Sequence, residues 1–197
     1  MLRISRACIL DLKFSALSVS GFVMLYKSMV RSHLDYCNSV WAPFKKSDIE
    51  DLERVQKRAT KILPALKKLS YTDRLKRCGL PTLKYRRARG DMIETYKILT
   101  EKYDVSVAPT LALNKYLSTR GNDLKLDVIN SRYDLRKHFF TRRVSALWNS
   151  LPNDVILADS TNLFKNKLDK FWQKQDLILN YKSEIAGIGN RSSSTKV

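Results

Sequence analysis

The chain has 197 residues, and 44% of them are hydrophobic, which is enough for a folded core in one domain or two small ones. Its 37 Lys and Arg residues outnumber its 19 Asp and Glu residues, and the net charge of +18 predicts a polyanionic partner, with nucleic acid ahead of an anionic membrane surface. Glycine is scarce and the three cysteines are far apart, so the composition argues against a phosphate-binding glycine loop and a cysteine zinc site, and no metal or cofactor is predicted.

The first 17 residues are apolar and basic without a clear period, and their structure stays ambiguous. Ser18 or Ser20 is a candidate N-cap for a helix that runs to about Trp41. His33 falls on the apolar side of this helix, which favours a core position over a role as ligand or base.

Residues 47–63 predict a short amphipathic helix that organises the basic region. Ser47 and Glu50 have the spacing of a capping box, and acids fill the first half while bases fill the second, as the helix dipole favours. Apolar residues at spacings of three and four predict its buried face: Ile49, Leu52, Val55, Ala59 and Ile62. Two interpretations stay open, namely a surface helix that neutralises its own dipole and a helix whose cations contact a partner.

Two more helices are predicted before residue 101. Ser70 opens a short one with Asp73 in its third position, and Gly79 is its left-handed C-cap. The next runs from Leu83 to about Thr100, and its first turns are basic, against the dipole preference. Two explanations of this unfavourable charge placement stay open. Either a partner uses the charges, or the long basic side chains lie over apolar surface.

The basic charge is concentrated between residues 45 and 89. That stretch holds fifteen basic residues against five acidic ones, a net of +10. Tyr71 and Tyr85 are interleaved with the bases, which suits nucleic acid because phosphates need cations and bases need flat apolar contacts. For either tyrosine alone, a place in the core is the competing interpretation.

The second half is predicted to be a separate small segment. Residues 101–115 form a linker, residues 116–120 and 124–129 form a hairpin around Gly121-Asn122, and a helix runs over about 135–150. Ser160 or Thr161 caps a last helix, and residues 176–197 form a disordered tail. The predicted fold class is mainly α, with a basic helical bundle over 18–100 and a small α+β segment with a hairpin and two helices over 116–175.

The residues give no catalytic signature. No Asp-Asp pair occurs in the chain, and the acids between Asp48 and Glu53 are explained by the start of a helix. Two histidines and scattered serines do not form a recognisable triad. No catalytic residue is therefore predicted.

Four blocks occur in a fixed order over roughly residues 22–172: LYKSMVRSHLDYCNSVWAP, DIEDLERVQKRATKIL, LSYTDRLKRCGLPTLKYRRARGDMIETYKIL and LRKHFFTRRVSALWNSLPNDVILADSTNLFKNKLDKFW. Together they resemble the thumb and post-thumb region of reverse transcriptases from non-LTR retrotransposons, closest to the jockey and CR1-like elements. The resemblance implies a right-hand RNA-directed DNA polymerase whose helical thumb grips the template–primer duplex. In the parent enzyme the palm carboxylates hold two Mg²⁺ ions, and nothing in this sequence matches them.

The resemblance thus implies a non-catalytic, nucleic-acid-binding fragment of a transposable element, with an RNA or DNA duplex or an RNA–DNA hybrid as partner. The matching positions for phosphate contacts are Arg54, Lys57, Arg58, Lys61, Arg86, Arg87 and Arg89. The alternative is a co-opted helical interaction module that binds an acidic protein. Without the palm, Phe22, Met29 and Trp41 would be exposed, which predicts possible self-association. The odd cysteine count and the lack of a long apolar segment predict an intracellular protein, nuclear or cytoplasmic, with no membrane attachment.

Overall fold

The computed structural model describes residues 18–104, 106–114 and 123–187. These residues are mostly helical, which confirms the mainly α prediction, and Leu113 and Leu126 form an isolated antiparallel bridge. The predicted strand over 116–120, its Gly121-Asn122 turn, the segment 1–17 and the last ten residues of the predicted tail lie outside the described residues.

The described residues divide into two compact units. Unit 1 contains residues 18–36, 43–86 and 178–182, and unit 2 contains residues 37–42, 87–177 and 183–187. This division differs from the linker predicted over 101–115, because the helix Leu83–Leu99 contributes its start to unit 1 and the rest of its length to unit 2.

Unit 1 is built on four helices and the first turn of a fifth. They are α1 (Val19–Leu25), which continues through a π-helical stretch (Tyr26–Arg31) into α2 (Ser32–Asp35), then α3 (Lys46–Lys61), a 3₁₀ turn (Pro64–Leu66), α4 (Tyr71–Cys78) and α5 (Leu83–Leu99). Its apolar core contains Phe22, Tyr26, Ala59, Leu63, Leu66, Leu75, Cys78 and Leu80. Phe22 is therefore not part of an exposed face, whereas Met29 is half exposed.

The first helix begins as predicted and ends early. Ser18 caps α1, since its hydroxyl accepts the N–H of Gly21 at 3.2 Å. Helical structure ends at Asp35 rather than near Trp41, because Cys37 adopts a left-handed φ of 50°. The core position predicted for His33 is wrong: its side chain is exposed while Leu34 is buried, because the wider π turns change which face the later residues present.

The predicted capping box and apolar face of α3 are both wrong. Ser47 lies inside the helix and donates to the Asp48 carboxylate at 3.3 Å instead of capping. The fully buried side chains are mostly polar, namely Glu53, Gln56, Ala59 and Thr60, whereas Ile49, Leu52, Val55 and Ile62 are only half-buried. This arrangement is stable only because each buried polar group has a hydrogen-bond partner elsewhere in unit 1.

Unit 2 packs the rest of α5 with α6 (Asp134–Lys137), α7 (Phe140–Asn149), α8 (Asn153–Ile156) and α9 (Thr161–Trp172). Its core is aromatic: the ring of Phe164 lies 4.4 Å from that of Tyr96 and 5.9 Å from that of Trp148. The cap of α9 is Ser160, which accepts the N–H of Leu163 at 3.2 Å.

Two predictions for unit 2 need correction. The helix over 135–150 is broken, because Phe139 has an extended backbone with ψ 146° and separates α6 from α7. The strand over 124–129 is reduced to the bridge at Leu126, because the side chain of Asn149 takes both backbone groups of Leu126, at 2.9 and 2.7 Å.

The chain remains ordered beyond residue 175. A 3₁₀ turn forms at Asp176–Ile178, Leu177 is buried in unit 2, and the Ile178 carbonyl accepts the N–H of Thr82 in unit 1 at 2.9 Å. Residues 176–187 therefore do not form the predicted disordered tail, because Leu177, Leu179 and Ile185 supply apolar anchors.

Candidate nucleic-acid interface

The outward side of α3 carries three cations in a row, which we call the outer stripe: Arg54, Arg58 and Lys61. Their spacing of four and three residues places them on one face, opposite the buried side chains of the same helix. Arg58 and Lys61 are exposed, and none of the described acids pairs with them. Arg54 is also exposed and makes a 2.7 Å ion pair with Asp51 one turn earlier, which solvent screens.

The orientation of the outer stripe is fixed by the inward side of α3. The buried Glu53 carboxylate accepts the N–H of Leu83 at 3.1 Å and the hydroxyl of Tyr71 at 2.5 Å. An anion at the first N–H of α5 also interacts favourably with the dipole of that helix. Glu53 therefore joins three helices of unit 1 through one side chain.

Gln56 extends this network by one helical turn. Its carbonyl accepts the Tyr26 hydroxyl at 2.6 Å, and its amide donates to the Tyr71 hydroxyl and the Pro81 carbonyl, both at 3.0 Å. Burial, reinforced by the Glu53 charge, raises the pKa of both Tyr26 and Tyr71 well above the ordinary tyrosine value. Both phenols therefore stay protonated and keep donating across the whole neutral range.

The fourth predicted cation of α3, Lys57, points elsewhere. Its ammonium group donates to the Tyr181 hydroxyl at 2.8 Å and lies 4.3 Å from the centroid of the same ring. Tyr181 in turn donates to Glu50 at 3.1 Å. Lys57 therefore holds residues 178–182 against α3 within unit 1, and its ammonium group already contacts a phenol and an aromatic face.

The three predicted arginines of α5 are held by contacts within their own units. Arg86 donates to Asp35 at 2.8 Å in unit 1. In unit 2, Arg87 is 7% exposed and lies over the Trp41 ring at 5.4 Å. Arg89 binds both oxygens of Asp169, at 2.6 and 2.7 Å.

Arg87 over Trp41 fits the explanation in which basic stems cover apolar surface, whereas Arg86 and Arg89 are matched by acids, which neither explanation foresaw. Tyr85 is buried and Tyr71 belongs to the Glu53 network, so neither ring is free for a nucleobase. Of the seven predicted positions, the outer stripe keeps the geometry of a phosphate-binding surface, and the other four are held in intramolecular contacts.

Sequence reasoning missed a second group of exposed cations in unit 2, around α6. Arg132, Arg136 and Lys137 are exposed, and so are Tyr133 and Phe139 between and after them. The sequence signal for this group is the mixture of bases and aromatics in RYDLRKHFFTRR. Helical periodicity over 135–150 hides the signal, because it predicts Phe139 on an apolar stripe with Phe140, Val144, Leu147 and Trp148, whereas Phe139 is exposed.

The part of the chain that the structure describes has no cluster of three or more His, Cys, Asp or Glu side chains that could hold a metal ion. Within the same residues, no helix has both the length and the apolar character needed to cross a membrane. Comparison with known proteins finds no matching family model, no matching curated protein and no matching solved structure.

Proposed function

We propose that this chain is the thumb and post-thumb region of a non-LTR retrotransposon reverse transcriptase and that its role is to bind template–primer nucleic acid rather than to catalyse. The proposal is supported by the ordered sequence blocks and by the outer stripe of α3. A phosphate-binding surface needs exposed cations on a rigid support, because phosphate contacts set the position of a duplex without reading its sequence.

The main structural support for this proposal is the length and exposure of the outer stripe. Lys61 lies seven positions after Arg54, so the stripe is about 10 Å long at a helical rise of about 1.5 Å per residue. That length corresponds to about three base steps of a duplex, which rises about 3.4 Å per step. Three cations at this spacing can each meet a different phosphate, while the buried Glu53 and Gln56 hold the helix in place.

Salt titration of duplex binding tests the stripe. The variant Arg54→Gln, Arg58→Gln, Lys61→Gln should weaken binding of a DNA duplex and of an RNA–DNA hybrid to a similar degree. It should reduce the slope of log K against log salt by up to about 3, since each lost phosphate contact removes about 0.9. A matched control replaces three exposed lysines of unit 2 by glutamine, at Lys102, Lys170 and Lys174, and makes the same change in net charge.

The control variant shows whether duplex binding depends on the outer stripe or only on the net charge of the chain. If both triple variants lower the slope equally, the duplex responds to net charge and the stripe is not an interface. If the wild-type chain binds neither duplex nor hybrid at low salt, the nucleic-acid proposal falls, and binding of an acidic protein becomes the better hypothesis.

A further inference from the structure

The segment around α6 in unit 2 exposes aromatic and aliphatic side chains next to cations. Tyr133 is 71% exposed, Leu135 81% and Phe139 58%, and no residue of α6 is buried. Three large apolar side chains exposed within seven residues are typical of a surface that a partner covers.

The cations of this segment also lack acidic partners. None of the described acids pairs with Arg132, Arg136, Lys137 or Arg142. Two other arginines of unit 2 do have acids: Arg143 binds Asp91 with two hydrogen bonds of 2.9 Å, and Arg89 binds Asp169. The segment therefore combines uncovered rings with uncompensated positive charge, and a polyanion with flat apolar groups complements both.

Phe139 also forms one wall of a cleft. The cleft has a volume of ≈ 570 Å³, within the range of small-ligand sites. Its lining is mainly apolar and includes Val40, Ile98, Tyr103, Val107, Phe139 and Phe140. A planar ring can enter such a space and stack on an aromatic wall.

Tyr103, another aromatic residue of the lining, is held by hydrogen bonds. The Tyr103 hydroxyl donates to Glu94 at 2.7 Å and accepts from Lys97 at 3.0 Å. The same hydrogen bond from Lys97 raises the pKa of that lysine. Glu94 also pairs with Lys97 at 3.5 Å, and the second acid of the lining, Asp104, accepts hydrogen bonds from Ser106. These two carboxylates disfavour a phosphate inside the cleft, so the uncharged base is the group that enters it.

We infer that this cleft takes an unpaired nucleobase of a single-stranded nucleic acid, with the flanking phosphates on Arg136, Lys137 and Arg142. A base stacks on Phe139 without regard to its identity, and the three cations lie within three residues of that ring in the sequence. The inference goes beyond the proposed function, because it concerns another unit, another set of residues and a single strand instead of a duplex.

Fluorescence anisotropy with the full chain tests the inference, with a labelled oligo(dT) 16-mer and a blunt duplex of equal length as probes. Phe139→Ala should weaken oligo(dT) binding about tenfold and change duplex binding by less than about twofold, because stacking is available only to unpaired bases. Phe171→Ala is the matched control, since Phe171 is 47% exposed on α9 of the same unit, and it should change neither affinity.

Two double variants test the electrostatic contribution to oligo(dT) binding. Arg136→Gln, Lys137→Gln should lower the salt slope for oligo(dT) by about 1.4, at about 0.7 per contact on a single strand. Lys170→Gln, Lys174→Gln makes the same charge change on exposed residues near the end of α9 and should leave the slope unchanged. Equal effects of the two pairs would overturn the placement of the phosphates.

Photo-cross-linking of the wild-type chain tests the inference without a variant that could fail to fold. Oligo(dT) with 5-iodouridine at single positions, irradiated and analysed by peptide mass spectrometry, should form adducts at Tyr103, Phe139 or Phe140. Adducts only outside the cleft, or unchanged binding by Phe139→Ala, would overturn the inference and leave an apolar peptide as the better occupant.

The two probes also separate this inference from the proposed function. A wild-type chain that binds the duplex but not oligo(dT) refutes this inference alone. Loss of duplex binding with retained oligo(dT) binding refutes the proposed function alone.

Discussion

Replacement of Glu53 by alanine should strongly destabilise unit 1. The Glu53 carboxylate is fully buried and accepts hydrogen bonds from the Leu83 N–H and the Tyr71 hydroxyl. Alanine would leave both donors buried without an acceptor, and each unsatisfied donor costs about 1–3 kcal/mol. We therefore expect a loss of about 4 kcal/mol in the free energy of unfolding, or about 8–16 °C in melting temperature for a chain of this size.

Glu53→Gln removes the charge of the side chain and keeps nearly the same shape, so it measures the contribution of the charge. Glutamine keeps the volume and one acceptor, but its amide group turns a donor toward a site that needs an acceptor. The expected loss is about 2 kcal/mol, the difference between hydrogen bonds to a charged and to a neutral group plus one unmatched contact. Glu53→Ala and Tyr71→Phe remove the same hydrogen bond, so the double variant should lose less than the sum of the two single losses by about 1–2 kcal/mol.

Urea denaturation followed by circular dichroism at 222 nm measures these losses. Asp51→Ala is the control on the same helix, since its ion pair with Arg54 is exposed and should contribute less than about 1 kcal/mol. A Glu53→Ala variant within about 1 kcal/mol of wild type, or additive effects at Glu53 and Tyr71, would show that the buried network does not stabilise unit 1 as argued.

Two further predictions concern pH. Because burial raises the pKa of Tyr26 and Tyr71, the folded chain keeps both protons where the unfolded chain loses them, so stability falls as pH rises past about 10 and the two tyrosines together should remove about 3 kcal/mol by pH 11. Urea midpoints from pH 8 to 11 measure this loss, and Tyr26→Phe should remove about half of it. Arg143→Ala removes the ion pair of the buried Asp91 carboxylate, which keeps the hydrogen bond from Asn38 and the charge of Arg87, and should lose about 3 kcal/mol at pH 7. Burial already raises the pKa of Asp91, and loss of Arg143 raises it further, so the destabilisation should be smaller at pH 5 than at pH 7; equal losses at the two pH values would contradict this account.

The helix caps that depend on neighbouring residues were predictable from the sequence. Ser70 accepts the N–H of Asp73 at 3.2 Å, and Gly79 ends α4 with a φ of 59°, both as predicted. Leu83 likewise begins α5 where the pattern placed it. These signals are contained within three or four positions, so no knowledge of the remaining chain is needed.

The buried face of α3 was not predictable from the same kind of pattern. Apolar spacing pointed to Ile49 and Val55, while the structure buries Glu53 and Gln56. The groups that make this burial possible lie 15 to 30 positions away, at Tyr71 and at the start of α5. A hydrophobicity pattern ranks a polar side chain as exposed, and only the distant partner reverses that ranking.

Acidic residues far away in the sequence likewise determine which of the predicted cations are ion-paired. Arg86 meets Asp35 across 51 positions and Arg89 meets Asp169 across 80, whereas Arg58 has no such acid among the described residues. Each ion pair uses one acid as well as one base, so the net charge of +18 is unchanged by every pair that forms. Pairing therefore concentrates the surplus on the cations left over, and an anionic partner acts on those residues more than on the basic stretch as a whole. The outer stripe and the α6 segment are two places in the described chain where exposed cations of this kind occur together.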